Sequence, residues 1–314
     1  MNNLRCTLFL TLMVVLASCQ QTGSNVPAEK ESYKIGLHPV VGSNYQYEIK
    51  NETSFVVEVD DKEIDNLSKT DVSIRYGISK DSAGDFLFAM NYDKIRLYTK
   101  KGDLETDLDA ANAPGSINQI EKMLGLLKTA TITSRVTPSG KVVGVTGYEG
   151  LGAKMFDGLH EGDSQMKTAL LQQWDKLAGE TIVQKNMDQF FSIFPDSIVK
   201  VGSTWEQSNV QAGELPMTIN TTYKLKSVDK DVAVIAAEGK VTNKANASNL
   251  MGYSNVKVTL DGTQRGSFEI NVSTGMLLKA SIKSDIKGEL NMMGKEIPVT
   301  IKNVIDIKGG ELKK

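Results

Sequence analysis

Polar and apolar residues alternate with a period of two along most of this chain, which puts every second side chain on one face of a β-strand. From Tyr45 the apolar positions run Tyr45, Tyr47, Ile49, then Phe55, Val57 and Val59, separated mostly by Gln, Glu and Lys. Val72, Ile74, Tyr76 and Ile78 continue the pattern; Phe86, Phe88, Met90 and Tyr92 repeat it before the phase slips to Ile95 and Leu97. A slip inside a long strand predicts a β-bulge, one extra residue in the ladder. The second half behaves alike: Met217, Ile219, Tyr223 and Leu225; Val256, Val258 and Leu260; Phe268, Ile270 and Val272. After the turn Ser273-Thr274-Gly275 come Met276, Leu278, Ala280 and Ile282. A last hairpin is predicted from Ile286 to Met292, around Gly294, and back through Ile297, Val299, Ile301 and Ile305. Strands with one apolar face predict antiparallel sheet solvated on the other side.

Helical spacing is confined to two places. Ser116-Ile117-Asn118-Gln119 reads as a capping box after Pro114-Gly115, and Ile117, Ile120, Met123, Leu124 and Leu127 then share a helix face. Further on, Met166, Leu170, Trp174 and Leu177 form an amphipathic helix stopped by Gly179; Val183, Met187, Phe190, Phe191 and Phe194 form another stopped by Pro195. The two halves also resemble each other. Val41-Gly42-Ser43-Asn44-Tyr45 recurs as Val201-Gly202-Ser203-Thr204-Trp205, and strand–turn–strand units surround both Ser139-Gly140 and Thr274-Gly275. The expected fold is mainly β (α+β): two related, curved antiparallel β-sheet units, 33–150 and 196–314, joined by a helical bridge over 151–195.

The first eighteen residues have a different character. Arg5 precedes an apolar run, and Leu16-Ala17-Ser18-Cys19 closes it. The run is shorter than the ~20 apolar residues a spanning helix needs, so it reads as a cleaved signal peptide, 1–18. The four closing residues resemble the lipobox of lipoprotein signal peptidase substrates. That resemblance implies lipidation of Cys19 and a membrane anchor of two or three acyl chains. Gln20, where an Asp would retain an enteric-type lipoprotein at the inner membrane, points to an outer-membrane lipoprotein. Residues 19–32 are polar, carry Gly23 and Pro27, and read as a flexible tether.

Composition narrows the chemistry. Cys6 leaves with the signal and Cys19 is acylated, so the mature body has no thiol for a disulfide, a zinc finger or a nucleophile. The mature chain has 35 basic and 38 acidic residues, a balanced surface with no basic stripe for nucleic acid. Its arginines are Arg75, Arg96, Arg135 and Arg265, few for a protein that captures phosphate bidentately.

Four landmarks resemble an uncharacterised family of Gram-negative envelope lipoproteins, classed only as a domain of unknown function. They are Tyr92-Asp93-Lys94-Ile95-Arg96-Leu97 with its acidic continuation to Asp107, Thr137-Pro138-Ser139-Gly140-Lys141-Val142-Val143, Phe190-Phe191 with Phe194-Pro195, and Val201-Gly202-Ser203-Thr204-Trp205. In that family the last landmark is commonly Gly-Asp-Ser-Trp, and this chain lacks the Asp. The resemblance implies a two-part, mostly β extracytoplasmic body on a lipid anchor and transfers no catalytic residue.

No set of residues composes a catalytic, cofactor or metal site. His160 has Glu161 and Asp163 beside it, but neighbours at +1 and +3 in a Gly-rich stretch converge poorly on a metal; His38 stands alone. Asp103, Glu105, Asp107 and Asp109 alternate with Leu104, Thr106, Leu108 and Ala110, as an outward strand face does, without the glycine spacing of a calcium loop. Glu58, Asp60, Asp61, Glu63 and Asp65 read as a charged loop at a strand end. Gly147, Gly150 and Gly152 invert the dinucleotide-loop spacing. Asp81-Ser82-Ala83 and Asp196-Ser197-Ile198 match a short O-glycosylation pattern of some bacterial envelopes, too brief to carry weight. The expectation is therefore a non-catalytic binding or scaffolding protein, with an envelope protein or an apolar ligand as partner. A carrier or sensor of lipid or other apolar ligands in a concave β-sheet cavity, with the adaptable Met90, Met217, Met276, Met292 and Met293 in its strands or turns, is the alternative. A glycan-active or hydrolytic enzyme is the third reading.

Overall fold

The computed structural model describes residues 31–59, 62–148, 150–151, 154, 168, 184, 187–188, 191, 193–211, 217–243, 246–250, 253–292 and 294–313. Alternation translates into strands of unusual length. In chain order they are β1 (Ser32–Tyr33), β2 (Asn44–Val59), β3 (Lys62–Lys80), β4 (Phe86–Lys101), β5 (Leu104–Asp109), β6 (Ile132–Val136), β7 (Val142–Thr146), β8 (Val199–Lys200) and β9 (Thr204–Gln211). They continue as β10 (Met217–Asp229), β11 (Val232–Asn243), β12 (Asn246–Leu250), β13 (Tyr253–Asn271), β14 (Leu277–Met292) and β15 (Lys295–Glu311).

Among the described residues the two halves do not make separate sheets. Thirteen strands form one antiparallel sheet, in the order β7-β6-β4-β3-β2-β15-β14-β13-β11-β10-β9, with β5 beside β4 and β12 beside β13. The join is the pairing of β2 with β15, continuous from Tyr45 opposite Glu311 to Val57 opposite Val299. β1 and β8 form a separate two-stranded ribbon. The bulge is where the phase slip put it: Ser73 faces Lys94 but Ile74 faces Tyr92, so Asp93 is the extra residue. A second irregularity near Glu269 makes Leu277, rather than Leu278, the buried residue that follows Met276. The acidic cluster read as a loop lies instead along the tip of the β2–β3 hairpin, with Glu58 directly opposite Glu63; Asp60 and Asp61 lie outside the described residues.

The face bearing Tyr47, Tyr76, Phe88, Ile235 and Ile270 is the inner one. Ile35 and Leu37 of the leading segment pack on it, as do Met187, Phe191, Ile193 and Phe194, all in one apolar cluster. Rings link sheet to filling: Tyr47 meets Tyr76 at 5.8 Å, Tyr76 meets Phe88 at 5.9 Å, and Phe88 meets Phe191 at 5.2 Å between centroids. Burying such rings is worth roughly 1.5–3 kcal/mol apiece. Most of the expected bridge and its two helices lie outside the described residues, His160 included. Gln184, Met187, Asp188 and Phe191 are helical, and they cover a sheet edge: Val142 N–H donates to Asp188 Oδ1 (3.0 Å) and Gln184 Nε2 donates to Val142 O (3.3 Å). At two inner-face glycines the neighbouring strand comes too close for any side chain: a Cβ on Gly288 would stand 1.9 Å from Thr259 O and one on Gly262 2.4 Å from Asp285 O.

The inserted helix α1 (Gln119–Thr129) corrects the capping box. Asn118, not Ser116, is the N-cap and accepts from the N–H groups of Ile120 and Glu121. Ser116 Oγ instead donates to Glu121 (2.5 Å), which also accepts from Asn112 Nδ2 and the Asp109 N–H. Because the helix begins after Asn118, Ile117 is 95% exposed, while Leu124 is buried against Ile95 and Leu108.

Candidate functional site

The inner face is divided. Below, toward the β2 start, lies the large cluster already described. Above it, Ile219, Val241, Val256, Val258, Leu260, Ile286, Leu290, Val299 and Ile301 form a second buried apolar cluster. Between them from β10 to β2, and on across β3, β4 and β5 where Ser68, Thr99 and Thr106 are exposed, runs a row of residues placed opposite one another strand by strand. Gln207 faces Thr221, Thr221 faces Gly239, Gly239 faces Gln264, and Gln264 faces Ser284. Ser284 faces Asn303, Asn303 faces Thr53, Thr53 faces Ser68, Ser68 faces Thr99, and Thr99 faces Thr106. Ten strands thus contribute one polar residue or glycine each to a single line across the sheet.

Alternation puts this row on the inner face: Thr221 lies two residues from both Ile219 and Tyr223, and it is only 5% exposed. Buried polar groups need partners, and parts of the row supply their own. Asn303 Nδ2 donates to Asn51 Oδ1 (2.6 Å) and Thr53 Oγ1 (2.8 Å), and Gln264 Nε2 donates to Ser284 Oγ (3.1 Å). In the lower cluster the Tyr45 hydroxyl is buried without a hydrogen-bond partner among the described residues. Burial pushes the phenols of Tyr47, Tyr76 and Tyr92 above their ordinary value, since a phenolate would lose its hydration.

The outer face is charged and internally neutralised. Arg75 pairs with Asp93 (2.6 Å), Lys94 with Asp71 (2.6 Å), Lys69 with Glu52 (2.9 Å) and Lys100 with Glu105 (2.9 Å). The Arg96 guanidinium donates two hydrogen bonds to Asp107 and holds that carboxyl below the usual range; Lys100 donates one to Glu105 and likewise lowers its carboxyl. The alternating acids of β5 are therefore an ion-paired strand face, as the sequence pattern implied, and Asp109 caps a 3₁₀ turn by accepting from Ala111 N–H. Two open depressions lie on this face. One, of about 680 Å³, is lined by Lys50, Glu52, Lys69, Asp71, Arg96 and Tyr98; the other, of about 610 Å³, by Arg265, Lys283, Asp285 and Lys302. They have the size expected of a ligand cavity, but not the apolar inward lining.

Other sequence candidates have structural employment. His38 gives its backbone N–H to Thr274 O, and Asp81 accepts from the N–H groups of Ala83 and Asp85 in a turn. Gly147 and Gly150 adopt left-handed φ in turns. Cys19 lies outside the described residues.

Fold and faces together define an antiparallel β-protein built on one thirteen-stranded sheet whose inner face carries two apolar clusters. The chain belongs to DUF6263, a family of unknown function, whose model matches residues 83–277. No curated protein matches it. Similar solved structures include lipovitellin, at 9% identity over 87% of this chain and 26% of that one, with a TM-score of 0.47. Others are an outer-membrane channel from Pseudomonas putida F1 (7% identity, 90% of this chain, 100% of that one, TM-score 0.25) and the translocator domain of the autotransporter NalP from Neisseria meningitidis (8%, 85%, 88%, 0.21). This chain spans about a quarter of the lipovitellin chain.

Proposed function

We propose that the protein is an outer-membrane lipoprotein, cleaved after residue 18 and anchored through acylated Cys19, that works by binding rather than by catalysis. The observation that supports this reading is the use made of its ionisable groups. The described carboxyls with lowered pKa, Glu105, Asp107 and Glu121, are each held by a structural hydrogen bond or ion pair within β4, β5 or the start of α1. Groups held ionised in this way are poor proton donors to a substrate. One feature favours an internal duplication of the two β units about the bridge. The Gly42 turn and the Gly202 turn share one bonding scheme, with Gly42 N–H donating to Ile78 O and Gly202 N–H to Leu225 O, each at 2.8 Å. In the test, acylation of Cys19 is read by mass, and Cys19→Ser is expected to move a folded protein from the membrane to the soluble fraction. A turnover activity abolished by one point substitution would overturn the non-catalytic reading.

The polar row favours a second reading, a carrier of amphipathic lipid. A ligand with a polar group between apolar parts matches the stretch from β10 to β2, where the inner face is patterned apolar, polar, apolar. Lipid that copurifies with the mature protein and is lost in Thr221→Val with Ser284→Ala supports it; a lipid-free organic extract refutes it.

A further inference from the structure

We propose that the end of the sheet where the chain emerges at Ser32 is a membrane-contacting rim, seated on the bilayer that receives the Cys19 acyl chains. The proposal rests on the anchor reading and deepens it. Ser32 and Tyr33 pair with Lys200 and Val199 of β8, and β8 is flanked by exposed Val201 and by Ile198, 64% exposed. The leading segment then passes the β13–β14 turn, where His38 N–H donates to Thr274 O, and reaches Val40 and Val41, the latter 54% exposed. Both apolar turns are tied to the same end of the sheet. Gly42 N–H donates to Ile78 O near the end of β3, and Gly202 N–H to Leu225 O in the last third of β10. Leu312, also exposed, donates its N–H to Asn44 O at the start of β2.

Of eleven exposed large apolar side chains among the described residues, these five share the end that holds the tether exit. Exposed apolar residues scattered singly need no explanation, so their placement is what counts. Twelve residues lie between Cys19 and Ser32, a length whose root-mean-square coil span is roughly 20 Å. The sixteen residues of β2 put the opposite end of the sheet, with exposed Leu104 and Ile64, about 50 Å further away. An anchor on that tether therefore keeps this rim at the headgroups and the other end clear of them. Lys34, Lys200 and Lys313 exceed Asp196 and Glu311 by one charge, and in the turns at the same end Asp81, Asp85, Asp229 and Asp231 outnumber Lys80 and Lys230, so apolar tips rather than net positive charge would make the contact.

The test uses the mature lipoprotein with one introduced thiol at a time, Val41→Cys, Ile198→Cys or Leu104→Cys, labelled with an environment-sensitive fluorophore. Acylated Cys19 has no free thiol to compete. Each protein is placed on phosphatidylethanolamine–phosphatidylglycerol vesicles containing brominated acyl chains, and the Cys19 mass is measured in parallel. The expected result is blue-shifted, bromine-quenched emission at 41 and 198 and unshifted, unquenched emission at 104. Water-like emission at 41 and 198 in acylated protein overturns the rim and leaves the anchor standing. Quenching at 41 and 198 without acylation supports the rim and refutes the anchor; water-like emission without acylation refutes both.

Discussion

Gly309 and Gly310 are neighbours in β15, and replacing each with alanine should have opposite effects. A Cβ on Gly309 would lie 2.1 Å from Cδ1 and 2.3 Å from Cε1 of Tyr47, its partner across the β2–β15 ladder. Comfortable carbon–carbon contact is about 3.5–4.0 Å, so the ring would have to retreat by more than an ångström. It has nowhere to go: Tyr47 is 1% exposed and stands edge-on to Tyr76, which stands edge-on to Phe88. Overpacking typically costs about 1–3 kcal/mol, and a disturbed ring pair about 0.5–1.5 more. Gly309→Ala should therefore destabilise the protein by roughly 2–4 kcal/mol. At Gly310 a Cβ meets nothing within 4 Å and φ is not left-handed, so Gly310→Ala should stabilise by about 0.4–1 kcal/mol through the unfolded chain. Urea unfolding of the two variants measures both. Adding Tyr47→Leu to Gly309→Ala should recover part of the loss, with a coupling of about 1 kcal/mol. Equal midpoints for the two alanine variants, or strict additivity in the double variant, would refute the reasoning.

Two further outcomes are expected. Unfolded tyrosines ionise near their ordinary value of 10, whereas Tyr47, Tyr76 and Tyr92 are held above it by burial. Stability from these groups is therefore full below pH 10 and is lost as pH rises beyond it; their phenolate absorbance should appear only with loss of tertiary dichroism. Asp188→Ala should leave the buried Val142 N–H unpartnered, costing about 1–3 kcal/mol. Exchange of that amide should quicken, whereas Asp188→Asn, which keeps an accepting oxygen, should preserve protection; equal exchange in both variants would count against the contact.

Period-two alternation by itself identified most of the long strands, the bulge at Asp93 and the turns at Gly275 and Gly294, because side-chain direction is a local property of the backbone. It missed β11, where Ala233, Ala237 and Gly239 are inward positions too small to register as apolar beats. It also misplaced the start of α1, since Asn118 and Ser116 are both competent caps and only the Glu121 contacts distinguish them. Which strand neighbours which was beyond it: Asn51 and Asn303 are 252 residues apart and become partners only when β2 meets β15. The polar row was equally illegible, because Thr53, Ser68, Thr99 and Asn303 look like ordinary interruptions until register aligns them. Alternation is unchanged when a strand slips by two residues. Register comes instead from what each side chain meets on the next strand, here Asn303 on Thr53 and Gln264 on Ser284, and that information exists only in the folded sheet.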